Sequence, residues 1–147
     1  MVNENADLKK RLEKLEALRL DLIKNQLVKK VQTINGTLFV GEIVEVSNPE
    51  ALKRLCFDLK KEFSSHEGGE PAYMVVLATN ADGKAHVIVM LDEKSSLKKN
   101  LEAPKIINEY IAPLIKGGGG GQKTLATAGG QDVSKLNNVI EKVKSLL

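Results

Sequence analysis

Lys116-Gly117-Gly118-Gly119-Gly120-Gly121-Gln122-Lys123-Thr124-Leu125-Ala126-Thr127-Ala128-Gly129-Gly130 is the stretch on which the reading of this chain turns. Five consecutive glycines free the backbone and strip every side chain from one patch of surface. A partner can approach such a patch down to the peptide groups, whose N–H donors suit phosphate or carboxylate oxygens. The competing reading is a flexible linker. Linkers join domains, yet only about 26 residues follow Gly121, too few for an independent core. An apolar helical segment (residues 106–115) precedes the run, and a short extended segment (125–128) follows it. The glycines are therefore read as a loop, residues 117–121, inside one domain.

Working outward, the last 17 residues read as a helix, because Val133, Leu136, Val139, Ile140, Val143 and Leu147 recur at helical spacing after a turn at Gly129-Gly130. Before the run, a helix is expected from Leu101 or Pro104 to Ile115, with Ile106, Ile107, Tyr110, Ile111 and Leu114 apolar and Pro113 near its end. Residues 72–79 form a nearly continuous apolar run of strand length, which predicts a strand covered on both faces. Asn80-Ala81-Asp82-Gly83 turns the chain into a second strand, residues 84–91, so the two make a hairpin. Thr37 to Val46 is rich in β-branched residues and reads as a strand. Asn48 is placed to cap, and Pro49 to start, a helix that carries Leu52, Leu55, Cys56, Leu59 and Phe63 on one face.

From Asn5 to Ile34 there is no Pro or Gly, and good helix formers dominate. Leu8, Leu15 and Leu22 fall seven apart, with Leu12 and Leu18 beside them, and Ile23, Leu27, Val31 and Ile34 continue a drifting stripe. A helix of roughly 30 residues is about 45 Å long, longer than a small domain body. Its first half therefore needs an external partner, and a coiled-coil arm that pairs with a second copy answers that need. Asn25 on the seam would weaken packing while fixing register. The fold class expected is α/β (α+β). A long coiled-coil-type helix (residues 1–34) precedes a body (35–147) built on a small mixed sheet of about four strands with helices packed on it.

The glycine run followed by Ala126-Thr127-Ala128-Gly129-Gly130 resembles the C-terminal domain of alanyl-tRNA synthetases, and related modules close the DHH-superfamily phosphoesterases. The resemblance covers nearly the whole chain. Many relatives carry Arg-Pro-Asp where this chain has Gln122-Lys123-Thr124, so contacts of that arginine do not carry over. Lys123 brings a charge but not a guanidinium fork. The resemblance implies a non-catalytic module that grips the outer corner of tRNA-Ala, helps the enzyme dimerise and supports aminoacylation and editing by upstream domains. The chain is then expected to be a fragment cut at its N-terminus, with Met1 added in its production. The alternative from the same resemblance is the substrate-binding domain of a DHH phosphoesterase acting on short oligonucleotides or dinucleotides. A purely oligomerising domain is the third reading.

Composition narrows the chemistry. A net charge of +3 and 28% charged residues exclude a strongly basic chain, so a nucleic-acid site must be a local patch. Aromatics make up only 3%, which disfavours a stacking platform for single-stranded bases. A lone Cys56 forms no internal disulfide and fits the reducing cytoplasm, the expected location. No apolar run reaches the roughly 20 residues that span a bilayer. His66 and His86 with one cysteine lack metal-ligand spacing, no catalytic group can be assembled, and no cofactor or small-molecule substrate is expected. The run lacks the Gly-Lys-Ser/Thr ending and the strand–loop–helix order of a phosphate-binding P-loop. Binding remains. Gly117, Gly118, Gly119, Gly120, Gly121, Gln122, Lys123, Lys116, Lys98 and Lys99 are the candidate RNA contacts, with Lys94 and Lys105 nearby in sequence. Lysines serve the phosphates and bare backbone allows close approach. Leu8, Leu12, Leu15, Leu18 and Leu22 are the candidate dimer seam.

Overall fold

The computed structural model describes residues 2–34, 37–44, 49–64, 73–81, 83–92 and 102–145. Helix α1 (Val2–Lys29) opens the chain, followed by strands β1 (Gln32–Ile34) and β2 (Thr37–Ile43) and helix α2 (Pro49–Ser64). Strands β3 (Tyr73–Ala81) and β4 (Lys84–Leu91) come next, then helix α3 over residues 103–115. Strands β5 (Gly117–Gln122) and β6 (Leu125–Gly130) and helix α4 (Leu136–Lys144) complete the order.

The six strands form one mixed sheet in the order β1-β2-β3-β4-β6-β5. Of these, only β2 and β3 run parallel, and α2 supplies the crossover that a parallel pair requires. The apolar run of β3 is buried on both sides, as its pattern predicts. Val75 and Leu77, with Ile88 and Met90 of β4, face α1 and α2 through Leu20, Leu27, Leu52, Leu55 and Leu59. Met74, Val76, Val87, Val89 and Leu91 face α3 and α4 through Ile106, Ile107, Ile111, Ile115, Val139 and Val143. The architecture is helix layer, sheet, helix layer. The base of the central hairpin is clasped by two bonds: the Tyr73 N–H donates to Asp92 Oδ1 at 3.0 Å, and the Asp92 N–H donates to the Tyr73 carbonyl at 3.2 Å.

Four expectations need correction. The glycines form no loop: Gly117–Gln122 is an edge strand paired along its length with β6, which takes the strand count to six instead of four. Gly129-Gly130 is no turn, since both residues pair with β4 on one side and β5 on the other. The first helix stops at Lys29, and residues 32–34 form a short strand against β2. Val31 and Ile34 therefore leave the helical stripe, because a β-branched segment there completes the sheet edge. The strand at 37 ends at Ile43.

Helix α3 ends at Ile115, two residues past Pro113, as expected. Residues Ile107–Ile111 form a wide π-turn immediately before, and the Ala112 N–H donates to the Ile107 carbonyl. A proline ring inside a regular α-helix presses on the carbonyl four residues before it, here that of Glu109, and a wide turn at that point is a known way to accommodate one. The expected caps at Asn48, the loop at His66 and the lysines at 94, 98 and 99 lie outside the described residues.

Only half of α1 has a use in this body. Leu20 and Leu27 are buried against α2 and the sheet, and Lys24 Nζ reaches Glu62 Oε1 at 3.4 Å. Leu8, Leu12, Leu15, Leu18 and Leu22 are 57–65% exposed. The 28-residue helix thus projects well past the core, at about 1.5 Å per residue.

Candidate nucleic-acid interface

The glycine strand is explained by what flanks it on each face. Side chains along a strand alternate between faces, so Gly117, Gly119 and Gly121 form one set and Gly118 and Gly120 the other. A Cβ on Gly117 would drive into the Gly129 carbonyl, and one on Gly119 into the Thr127 carbonyl. At Gly121 it would lie 2.5 Å from the Leu125 carbonyl oxygen and 2.7 Å from the Ala126 Cα. These three are glycine because β6 comes too close for any other residue. Gly118 and Gly120 meet the opposite situation, with no atom within 4 Å of an added Cβ. They face open space.

Both ends of the strand are anchored. Lys116 ends α3 in the left-handed region, φ 54° and ψ 53°, with its N–H on the Ala112 carbonyl. That position ordinarily takes glycine, so here a lysine is held in a disfavoured backbone while its side chain stays exposed. Beside it, Ser134 donates its N–H and its hydroxyl to Asp132 Oδ1. With the charges of Lys116 and Lys135 added, these bonds hold the Asp132 carboxyl below the usual carboxylate range. At the other end Lys123 and Thr124 form a two-residue turn between Gln122 and Leu125. The Lys123 carbonyl accepts the Ala103 N–H at 2.8 Å, and the Thr124 carbonyl accepts the Leu91 N–H at 2.9 Å. The strand is part of the bonded sheet at every residue.

The open face of β5 is the floor of a trough. Helix α3 covers the opposite side of β5 and β6, whereas α2 stops over β3 and β4 and leaves this side bare. Two adjoining hollows result, of about 700 Å³ and 430 Å³, which share Lys53, Gly120 and Thr127. Lys53, Phe57 and Lys60 of α2 line the larger one with Gln122 and Thr124. His86, half-buried on β4, lines the smaller one with Gly118 and Gly129.

Of the residues singled out in the sequence, the fold brings Gly118, Gly120 and Gln122 into this trough and sets Lys116 and Lys123 at the two ends of its edge strand. Gly119 and Gly121 also line the trough with their backbone, while their Cβ positions and that of Gly117 are closed off by β6. Lys105 belongs to α3, in the layer behind the sheet. Sequence reasoning missed Lys53, Phe57, Lys60, His86 and Thr127. A signal existed for Phe57: it falls off the Leu52, Leu55, Leu59 stripe of α2, an aromatic among charged neighbours.

Cys56 is completely buried, and desolvation pushes its thiol far above the usual range, which keeps it protonated and unreactive. A thiol reagent is therefore expected to leave the native chain unlabelled and to label it stoichiometrically once denatured; labelling of the folded chain at the rate of a free thiol would contradict this burial. Among the described residues no three His, Cys, Asp or Glu side chains group as a metal site. No helix among them is long and apolar enough to cross a membrane.

Residues 35–147 match the DHHA1 domain. The chain belongs to this family. Over all 147 residues it is 30% identical to an alanine–tRNA ligase of Cytophaga hutchinsonii, of which it spans 16%. It is 33% identical to one of Rickettsia canadensis, again across 16% of that protein. The DHHA1 fold here is also similar to the crystal structure of the C-Ala domain of Aquifex aeolicus alanyl-tRNA synthetase. That likeness has a TM-score of 0.65 at 23% identity, covering 80% of this chain and 96% of that one. The DHH domain of a member of the s1p family of ribosomal proteins shares the fold more loosely, with a TM-score of 0.59 at 16% identity across 30% of its chain. The chain thus spans about 16% of the length of the alanine–tRNA ligases it matches, and its fold is that of the C-Ala domain.

Proposed function

We propose that this DHHA1 domain is a tRNA-binding and dimer-forming module of an alanyl-tRNA synthetase, serving aminoacylation and editing centres that belong to the rest of that enzyme. The observation that carries the reading is the bare outer face of the glycine strand, bordered by Lys116, Lys123, Lys53 and Lys60. Folded RNA is recognised largely by its shape and sugar–phosphate surface. A floor without side chains lets a phosphate backbone come within reach of peptide N–H groups, and the bordering lysines supply charge that releases counterions. Lys98 and Lys99, outside the described residues, join this set on sequence grounds. The second half of the reading, a homodimer, is supported by the leucine face that α1 carries away from the body. The similarity to alanine–tRNA ligases over the whole of this chain favours tRNA-Ala over the short oligonucleotides of a DHH phosphoesterase.

Titration of tRNA-Ala against the chain at several salt concentrations tests the tRNA half. Affinity is expected to fall steeply with salt. Reversing Lys116 and Lys123 to Glu should weaken binding about tenfold or more near physiological salt. The salt slope should fall by about 2, one unit for each phosphate that is no longer neutralised. Both side chains are exposed, so the melting temperature should hold. Unchanged affinity at low salt would remove these lysines from the site, and short oligonucleotides that compete as well as tRNA would move the reading to the phosphoesterase class.

A further inference from the structure

We propose that the trough between α2 and the glycine strand takes one unpaired nucleotide of the bound RNA, with its base against the Phe57 ring and its phosphate between Lys53 and Lys60. The inference rests on the RNA-binding reading and adds the chemical unit that the trough selects. Phe57 is 48% exposed, whereas Leu52, Leu55 and Leu59 of the same helix are buried. Its ring lines the larger hollow, and so do Lys53 four residues before it and Lys60 three residues after it. Residues at these spacings lie along one stripe of a helix. A π face is thereby bracketed by two cations, the donor set that a single nucleotide presents in reverse: a flat ring and an anionic phosphate.

The floor opposite fits the same occupant. Gly120 leaves open space where any other residue would place a side chain, and Thr127 adds a hydroxyl beside it. A hollow of about 700 Å³ lies within the range of roughly 300–1,000 Å³ that small-molecule sites occupy. The six residues of β5 are exposed along the sheet edge, so a polynucleotide chain can enter and leave on that side. A base inside a duplex has both faces covered by its neighbours and must leave the stack to reach a protein ring. The unit recognised is therefore unpaired.

Two RNA hairpins separate this from general affinity for RNA, one with an unpaired loop of about six nucleotides and one closed into a blunt duplex of the same length. The wild-type chain is expected to bind the looped RNA about tenfold more tightly than the duplex, the span of one base–aromatic stack. Phe57→Ala should bind the two alike, Phe57→Tyr should keep the preference, and Lys53→Glu should weaken both. Phe57→Leu, which keeps apolar bulk without a ring face, serves if the alanine variant melts early. Equal binding of both hairpins by the wild-type chain overturns the inference, as does a preference that survives Phe57→Ala and Phe57→Leu. A change in self-association in place of RNA affinity marks the ring as a chain–chain contact and overturns it too. If tRNA-Ala still binds with its salt dependence in those cases, only the stacked nucleotide is lost. If no RNA binds, the RNA reading falls with it.

Discussion

Light scattering of the Leu15→Asp, Leu22→Asp double variant is expected to give the mass of one chain, where the wild-type chain at the same micromolar concentration should give the mass of two. The expectation follows from the exposed leucine face of α1. Leu15 and Leu22 are 63% and 65% exposed, one heptad apart and flanked by Leu18, and they contribute nothing to the core. Burying a leucine side chain stabilises by about 1.5–3 kcal/mol, and a two-fold seam counts each leucine twice. Replacing both by carboxylates removes that gain and requires two pairs of like charges to share the seam. The dissociation constant should rise by three orders of magnitude or more, about 4 kcal/mol. The monomer itself should melt nearly unchanged, apart from the lower helix propensity of Asp, of at most about 0.7 kcal/mol per site. Equal masses for the two proteins would place the association surface elsewhere, and a wild-type chain that is already single would end the dimer reading.

The second large effect separates the two faces of the glycine strand. Gly119→Ala should lower stability by about 3 kcal/mol, the upper end of what overpacking costs. The added methyl meets backbone of β6, which has no rotamer by which to yield. Stability totals only about 5–15 kcal/mol for a domain, so the loss should appear as a fall in melting temperature of roughly 10 °C at about 2–4 °C per kcal/mol. Amide exchange should accelerate first in β5 and β6, where the strand is unzipped. Gly120→Ala is the contrast. Its methyl enters open space, so stability should hold or rise slightly as the unfolded chain loses freedom. RNA affinity should nevertheless drop, because the floor of the trough has been raised. Matching melting curves for the two variants would mean that the faces of β5 are not different in kind.

Much of the fold was legible in side-chain pattern. The hairpin at residues 73–91, the buried stripe of α2 and the last helix each carry a periodicity that one face of packing demands, and α1 carries leucines at heptad spacing. Glycine has no such pattern. A run of five bears no alternation to mark a strand, and its freedom is the usual sign of a loop or tether. Lys123-Thr124 carries none of the Asn-Gly or Asp-Gly chemistry that announces a two-residue hairpin, so nothing flagged β5 and β6 as a pair. The trough was invisible for a related reason. Lys53 and Phe57 are about 60–70 positions from the glycines in the chain, and only the strand order β4-β6-β5 brings the edge of the sheet to the flank of α2.

Taken alone, the amino-acid order determined an α/β body with a leading helix too long for it, and a glycine segment bare of side chains. Those conclusions rest on local chemistry: propensity, spacing and composition. The role of that segment was decided by tertiary contact. Three glycines exist because β6 leaves no room for a Cβ, and two face open space. That distinction depends on which backbone lies within about 3 Å, a distance between strands that no single segment contains.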